Sequence, residues 1–168
     1  MGVRVVEQDP PRLALGSTVQ WTFFGPGTQS ATDSTGMGLY DSGRHSFVST
    51  FSHVFDAAGD YTFHSTTNST LSGVIKVMAR VTPNSVTVGS PATVQFATGT
   101  ASPGFHYEVQ MRGPGQHSFS TWVSTTQPNA SFTPLSAGTY EFEARLVDTA
   151  TSSPTSSGWS PIVTLTAN

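Results

Sequence analysis

The sequence has 168 residues, a formal charge of −3, no cysteine and only 10% charged residues, against the ~25% usual for a soluble domain. Its 7 scattered basic residues leave no electrostatic footprint for a phosphate backbone, no apolar run approaches the ~18 residues of a membrane-spanning helix, and the missing thiols exclude disulfides, thiolate nucleophiles and thiolate metal sites. Ser and Thr supply 48 residues, punctuated by 16 Gly and 11 Pro, a composition that favours strands and turns over helices and leaves room for one large domain or two of about 80 residues.

The start, Met1-Gly2-Val3-Arg4-Val5-Val6-Glu7, has an early acid and no apolar core, so it is not a signal peptide, and Val6 breaks the myristoylation pattern. Strands are then expected wherever apolar residues alternate: Val3-Val5, Val19-Trp21-Phe23, Phe51-His53-Phe55, Tyr61-Phe63-Ser65 and Ile75-Val77, each set lining one face. Between Phe23 and Phe47, Gly25-Pro26-Gly27 and Gly36-Met37-Gly38 mark a long loop region, with a short turn of helix admitted between Ser30 and Arg44. The pattern pauses at Ala79-Arg80-Val81-Thr82-Pro83-Asn84. It restarts with Val86-Val88, Val94-Phe96, Tyr107-Val109-Met111, Val123, Phe132, Tyr140-Phe142-Ala144-Leu146 and Val163-Leu165. The expected division is therefore 1–81 and 82–168, with a short proline-containing connection that restricts relative orientation. Asp148 to Gly158 reads as a long polar hairpin loop.

In the first half, Gly16-Ser17-Thr18-Val19-Gln20-Trp21-Thr22, Gly38-Leu39-Tyr40-Asp41-Ser42-Gly43 and Phe51-Ser52-His53-Val54-Phe55-Asp56-Ala57-Ala58-Gly59-Asp60-Tyr61-Thr62-Phe63 follow one another in order and spacing. This series resembles the plastocyanin-like cupredoxin family over residues 3–79. The resemblance implies a Greek-key sandwich and places Gln29, Ser65, Asn68 and Leu71 at the family's copper-ligand positions. None of these residue types can build a type 1 centre, which needs a thiolate and two imidazoles. The resemblance therefore implies a vacated site, without copper or electron transfer.

In the second half, Leu135-Ser136-Ala137-Gly138-Thr139-Tyr140-Glu141-Phe142-Glu143-Ala144-Arg145 and Ser157-Gly158-Trp159-Ser160-Pro161 resemble fibronectin type III domains, or a related immunoglobulin-like sandwich. The resemblance implies that Tyr140 is a corner tyrosine, its hydroxyl bonded to nearby backbone and its ring capping the core. The gap before Tyr140 is one residue short, and the third strand has no obvious core tryptophan. The whole chain is thus expected to be all-β, two consecutive β-sandwich domains.

Chemistry-bearing residues are sparse. His45, His53, His64, His106 and His117 have neither a metal-ligand spacing nor a cysteine partner, and the strand phase points His53 inward and His64 outward. With 23 Ser, 5 His and 6 Asp, a Ser/His/Asp combination is inevitable by count, and no G-x-S-x-G phrase singles one out. Glu141 and Glu143 flank Phe142 on a solvent face, as charges that keep a strand soluble do. Trp122 and Trp159 offer flat platforms for sugar rings, against core or rim packing; Trp122 is out of phase with the inward Val123. Asn68-Ser69-Thr70 and Asn129-Ala130-Ser131 match the glycosylation pattern, which chance supplies readily in such a chain.

These readings lead to a non-enzymatic protein of the cell exterior or surface, an envelope or filament component among the options, with no cofactor and with a protein partner or itself as the binding partner. Two alternatives stay open: a carbohydrate- or ligand-binding accessory module of a larger secreted enzyme, and a metal-binding protein with a remodelled histidine site. The export signal is expected to lie outside this chain.

Overall fold

The computed structural model describes residues 2–5 (backbone only), 12–24, 27–150 and 152–168. Met1, Glu7, Gly25, Pro26 and Thr151, and the side chains of Val3 and Val5, lie outside the described residues. The strands are β1 (Gly2–Val5), β2 (Arg12–Leu13), β3 (Ser17–Phe24), β4 (Thr32–Asp33), β5 (Ser49–Phe55), β6 (Gly59–His64), β7 (Ser72–Val77), β8 (Arg80–Thr82), β9 (Ser85–Val86), β10 (Ala92–Gln95), β11 (Phe105–Arg112), β12 (Ser120–Thr125), β13 (Asn129–Phe132), β14 (Gly138–Asp148), β15 (Thr155–Ser156) and β16 (Val163–Ala167). No helix occurs among the described residues, and hence none long and apolar enough to cross a membrane.

The chain forms two β-sandwiches. The first pairs the sheet β1-β3-β5 with the sheet β2-β7-β6-β4, and the second pairs β13-β10-β8 with β12-β11-β14-β16-β9. Both have the same plan. The opening strand of each is split, its first part antiparallel to the next long strand (β1 to β3, β8 to β10) and its second part parallel to the last strand of the other sheet (β2 to β7, β9 to β16). Such a switch lets one segment close the edges of both sheets. The 81/82 position lies inside β8, which joins the second sandwich through Val81↔Val94.

Strand phase explains the first core. Val19, Trp21 and Phe23 alternate with exposed or half-exposed neighbours on β3 and meet Phe55, Tyr61, Phe63, Ile75 and Val77 from the facing strands. Trp21 is fully buried and its ring packs with Tyr40, Phe51, Phe55 and Phe63 at 5.3–6.4 Å. The second core gathers Val94, Phe96, Tyr107, Val109, Phe142, Ala144 and Leu165.

Two local expectations are corrected and one is narrowed. Ser30 to Arg44 contains no helical turn. The bridges Gln29↔His45 and Thr32↔Asp41 fix it, and the Asp33 carboxylate accepts the backbone N–H groups of Thr35 (3.0 Å) and Leu39 (3.1 Å). Gly36 and Gly38, at φ 86° and 66°, turn the chain where a helix would have to continue. The polar hairpin loop is shorter than expected, because β15 pairs with Val147 and Asp148. Trp122 takes the packed of the two expected roles: it is half-buried, the β11–β12 register shifts between Val109 and Gln110, and the indole packs on Phe132 (5.6 Å) and Phe142 (5.4 Å).

Candidate functional site

The two sandwiches are stitched together by main chain. Ala58 N–H donates to the Phe96 carbonyl (2.9 Å), Thr98 N–H to the Asp56 carbonyl (2.9 Å), and Asp60 and Gly158 exchange N–H to carbonyl bonds (3.0 and 2.8 Å). Thr98 Oγ1 donates to Asp56 Oδ1 at 2.8 Å. The junction has no room for added atoms: a Cβ on Gly59 would stand 2.4 Å from Ser157 Oγ, and one on Gly158 would stand 3.0 Å from the Asp60 Cβ. Ala57, Ala58 and Ala79 belong to the second core, while Phe105 and Leu146 reach across to the first. Small residues here let two backbones approach to hydrogen-bonding distance.

Beside the junction lies a cleft of about 360 Å³ lined from both sandwiches. From the first come Leu39, His53, Phe55, Asp56 and Tyr61, and from the second Thr98 to Ser102, Phe105, Tyr107 and Leu146. The deep hydroxyls are spent on backbone. Tyr61 donates to the Ala57 carbonyl (2.8 Å) and Tyr107 to the Gly99 carbonyl (2.9 Å). His53 is half-buried, its ring 4.6 Å from Tyr40 and 4.9 Å from Phe55. Burial lowers its pKa, and the nearby Asp56 and Asp33 carboxylates only partly oppose that effect. The imidazole is therefore neutral near pH 7.

Gln29, Ser65, Asn68 and Leu71, the positions expected from the resemblance to be vacated ligand sites, lie at one end of the first sandwich. Ser30 N–H donates to Ser65 Oγ (3.1 Å), Thr66 N–H donates to Ser30 Oγ (2.8 Å), and Gln29 Nε2 donates to the Phe24 carbonyl (2.9 Å). The loop is closed by Ser65 N–H to the Leu71 carbonyl (2.9 Å) and Leu71 N–H to the Asn68 carbonyl (3.0 Å). Asn68 Oδ1 accepts from Thr70 Oγ1 at 2.7 Å. Buried Gln29 Oε1 has no hydrogen-bond partner among the described residues. Neutral hydroxyl and amide groups bonded to one another and to backbone are poor donors for a metal ion.

The other histidines do not converge. His64 is exposed, with Nδ1 2.6 Å from Ser34 Oγ, and His45 stacks on Phe23 at 4.6 Å with Nδ1 3.1 Å from Ser49 Oγ. His106 sits beside Glu108 at 3.4 Å, and His117 lies before β12 in the second sandwich. Among the described residues no three His, Asp or Glu side chains are placed to share a metal ion. The Arg145 guanidinium lies 4.4 Å over one face of the half-buried Trp159 ring while also gripping Glu108. Two acids of β14 are engaged across the sheet, Glu141 by Arg112 and Glu143 by Gln110, while Asp148 at its end accepts the Ala150 N–H at 2.8 Å.

Sequence reasoning placed His53 correctly but missed the cleft, since Asp56, Thr98 and Tyr107 are unremarkable singly. One signal did point to the common plan of the two sandwiches. Ala58-Gly59-Asp60-Tyr61-Thr62-Phe63 and Ala137-Gly138-Thr139-Tyr140-Glu141-Phe142 share the pattern A-G-x-Y-x-F, and each opens the equivalent strand of its sandwich.

No family model and no curated protein matches the chain. Solved structures similar to it include a cytokine receptor complex, at 18% identity and a TM-score of 0.41, covering 98% of this chain and 96% of that one. The FN1–FN3 domains of chicken CNTN1 match at 12% identity and 0.39 over 99% of this chain, which spans 65% of that fragment. The BSP domain of a biofilm associated protein matches at 13% and 0.31 over 93% of this chain, which spans 28% of it.

Proposed function

We propose that the protein is a non-enzymatic structural or binding component of the cell exterior, working as one stiff unit of two sandwiches divided near residue 81. The observation that carries this reading is the junction. Backbone bonds at Asp56, Ala58, Asp60, Phe96, Thr98 and Gly158 hold the sandwiches in one orientation, so the surfaces offered to a partner or a second copy are fixed in advance, which lowers the cost of association. The low charge and the abundance of Ser and Thr support an exterior setting.

In the same reading, the first sandwich is a cupredoxin relative whose copper-ligand positions, Gln29, Ser65, Asn68 and Leu71, have been vacated. Their gathering at one end supports this relation, although the strand plan shared with the second sandwich is equally that of an immunoglobulin-like unit.

The test has two parts. NMR relaxation on the full chain should give one rotational correlation time for both sandwiches, and separate values would overturn the stiff-unit reading. An antibody against the chain should label intact cells of the source organism, and labelling only after permeabilisation would overturn the exterior assignment. The accessory-module reading is favoured by the cleft at the junction, which has the size of a small-ligand site.

A further inference from the structure

We propose that the cleft between the sandwiches binds an organic cation, an ammonium group carrying apolar substituents, with Asp56 as its counter-charge and the rings of His53, Phe105 and Tyr107 as its walls. The inference rests on the fixed junction, because the walls come from different sandwiches, and the relaxation measurement tests that junction separately.

Charge selects the ligand class. Asp56 is the one carboxylate among the lining residues, and neither Lys nor Arg lines the cleft. Asp56 has no ion-pair partner among the described residues, and its hydrogen bond from Thr98 engages Oδ1 only. The field of Asp33 adds to that of Asp56 at His53 and at Tyr61. An anion would thus meet the repulsion of Asp56 and find no cationic side chain. His53 brings no competing charge, since burial keeps its imidazole neutral, and neither of its ring nitrogens has a hydrogen bond among the described residues.

Shape and polarity narrow the class further. At about 360 Å³ the cleft lies at the small end of ligand sites, room for a trimethylammonium or alkylammonium group with a short stem. Its lining combines the aromatic and aliphatic side chains of Leu39, His53, Phe55, Phe105 and Leu146 with the hydroxyls of Thr100 and Ser102, and the tyrosine hydroxyls are already donated to Ala57 and Gly99. Electron-rich ring faces together with one carboxylate attract a weakly hydrated cation more than they attract a neutral sugar. Free ammonium metabolites and the lysine side chain of a partner share this chemistry.

The experiment is an NMR and calorimetric titration of the full chain with choline, with its neutral carbon isostere dimethylbutanol, with N-acetyl-lysine methylamide and with cellobiose. Choline should shift the resonances of His53, Phe105 and Tyr107, and the isostere should bind at least about tenfold more weakly, the factor that ~1.4 kcal/mol represents. Asp56→Asn should remove that advantage. The amide oxygen introduced by Asp56→Asn can still accept from Thr98, so that variant removes the charge and keeps the bond; Thr98→Val, which deletes the bond from Thr98 Oγ1 to Asp56 Oδ1 but keeps the carboxylate, should preserve the advantage and so guards against a merely loosened junction. Tighter binding of the lysine derivative than of choline would assign the site to a partner's side chain, and the reverse order to a free ammonium compound. Equal binding of choline and its isostere, binding indifferent to Asp56→Asn, shifts confined to other residues, or preferential binding of cellobiose would each overturn the proposal.

Discussion

Tyr61 and Tyr140 occupy equivalent places in the two sandwiches, each near the start of its strand with its hydroxyl donated to the carbonyl four residues upstream, Ala57 at 2.8 Å and Ser136 at 3.0 Å. Their surroundings differ. Tyr140 also meets the Ser136 hydroxyl at 3.0 Å, a second group ready to pair with the freed carbonyl, whereas the Ser157 hydroxyl beside Tyr61 already donates to the Gly158 carbonyl and accepts from Leu146 N–H. Tyr61 is almost completely buried where the sandwiches join, and burial raises its pKa far above the usual phenol range. Removing either hydroxyl leaves a backbone acceptor unpaired, at a cost of roughly 1–3 kcal/mol when no water or neighbour replaces it. Tyr61→Phe should therefore destabilise more than Tyr140→Phe in urea unfolding, and the opposite order would refute the difference in environment.

Gly59→Ala should open the junction. The new methyl would lie 2.4 Å from Ser157 Oγ, which is held in place by the Leu146 N–H at 3.1 Å and cannot retreat freely. Scanning calorimetry should change from one transition to two, with the secondary structure retained. Gly99→Ala is the control, because a Cβ there meets nothing within 4 Å.

Trp21→Ala should cost ~3–5 kcal/mol, the range for emptying a large aromatic site, since its indole is fully buried among Tyr40, Phe51, Phe55 and Phe63. Trp21→Phe should cost distinctly less. It keeps ring contacts and removes an indole N–H that has no hydrogen-bond acceptor among the described residues. A change below about 1 kcal/mol for Trp21→Ala would place the side chain at the surface.

Stability should fall on acidification through the histidine range. The folded pKa of His53 lies below its ordinary 6.5, chiefly because burial disfavours the charged ring. The unfolded chain therefore takes up the proton first, and the stabilisation present above 6.5 is lost as pH drops toward the folded value. Glu108 and Glu141, whose pKa values lie below 4.5, lose their contribution only at lower pH. Melting temperatures measured from pH 7 to 5 should decline less steeply in His53→Gln. An identical slope in the two proteins would show that His53 is not the group responsible.

What the sequence determined by itself was the periodic part of the molecule. Alternation every second residue located β3, β5, β6, β10, β11 and β14 and the inward faces of Trp21 and Phe142, because a strand imposes its period on every buried face regardless of what covers it. The Tyr140 corner was implied by the fibronectin-like phrase, and it depends on local sequence alone, since its partner Ser136 is only four residues away. Where a residue's position depends on a distant segment, the local pattern was silent. The bulge opposite Val109 turned Trp122 inward, and Arg145 covered Trp159. The cleft joins Asp56 to Thr98 across 42 residues, and only the docking of two complete sandwiches brings those side chains to 2.8 Å. Neither sandwich contains the cleft alone, so no run of neighbouring residues could encode it in a readable form.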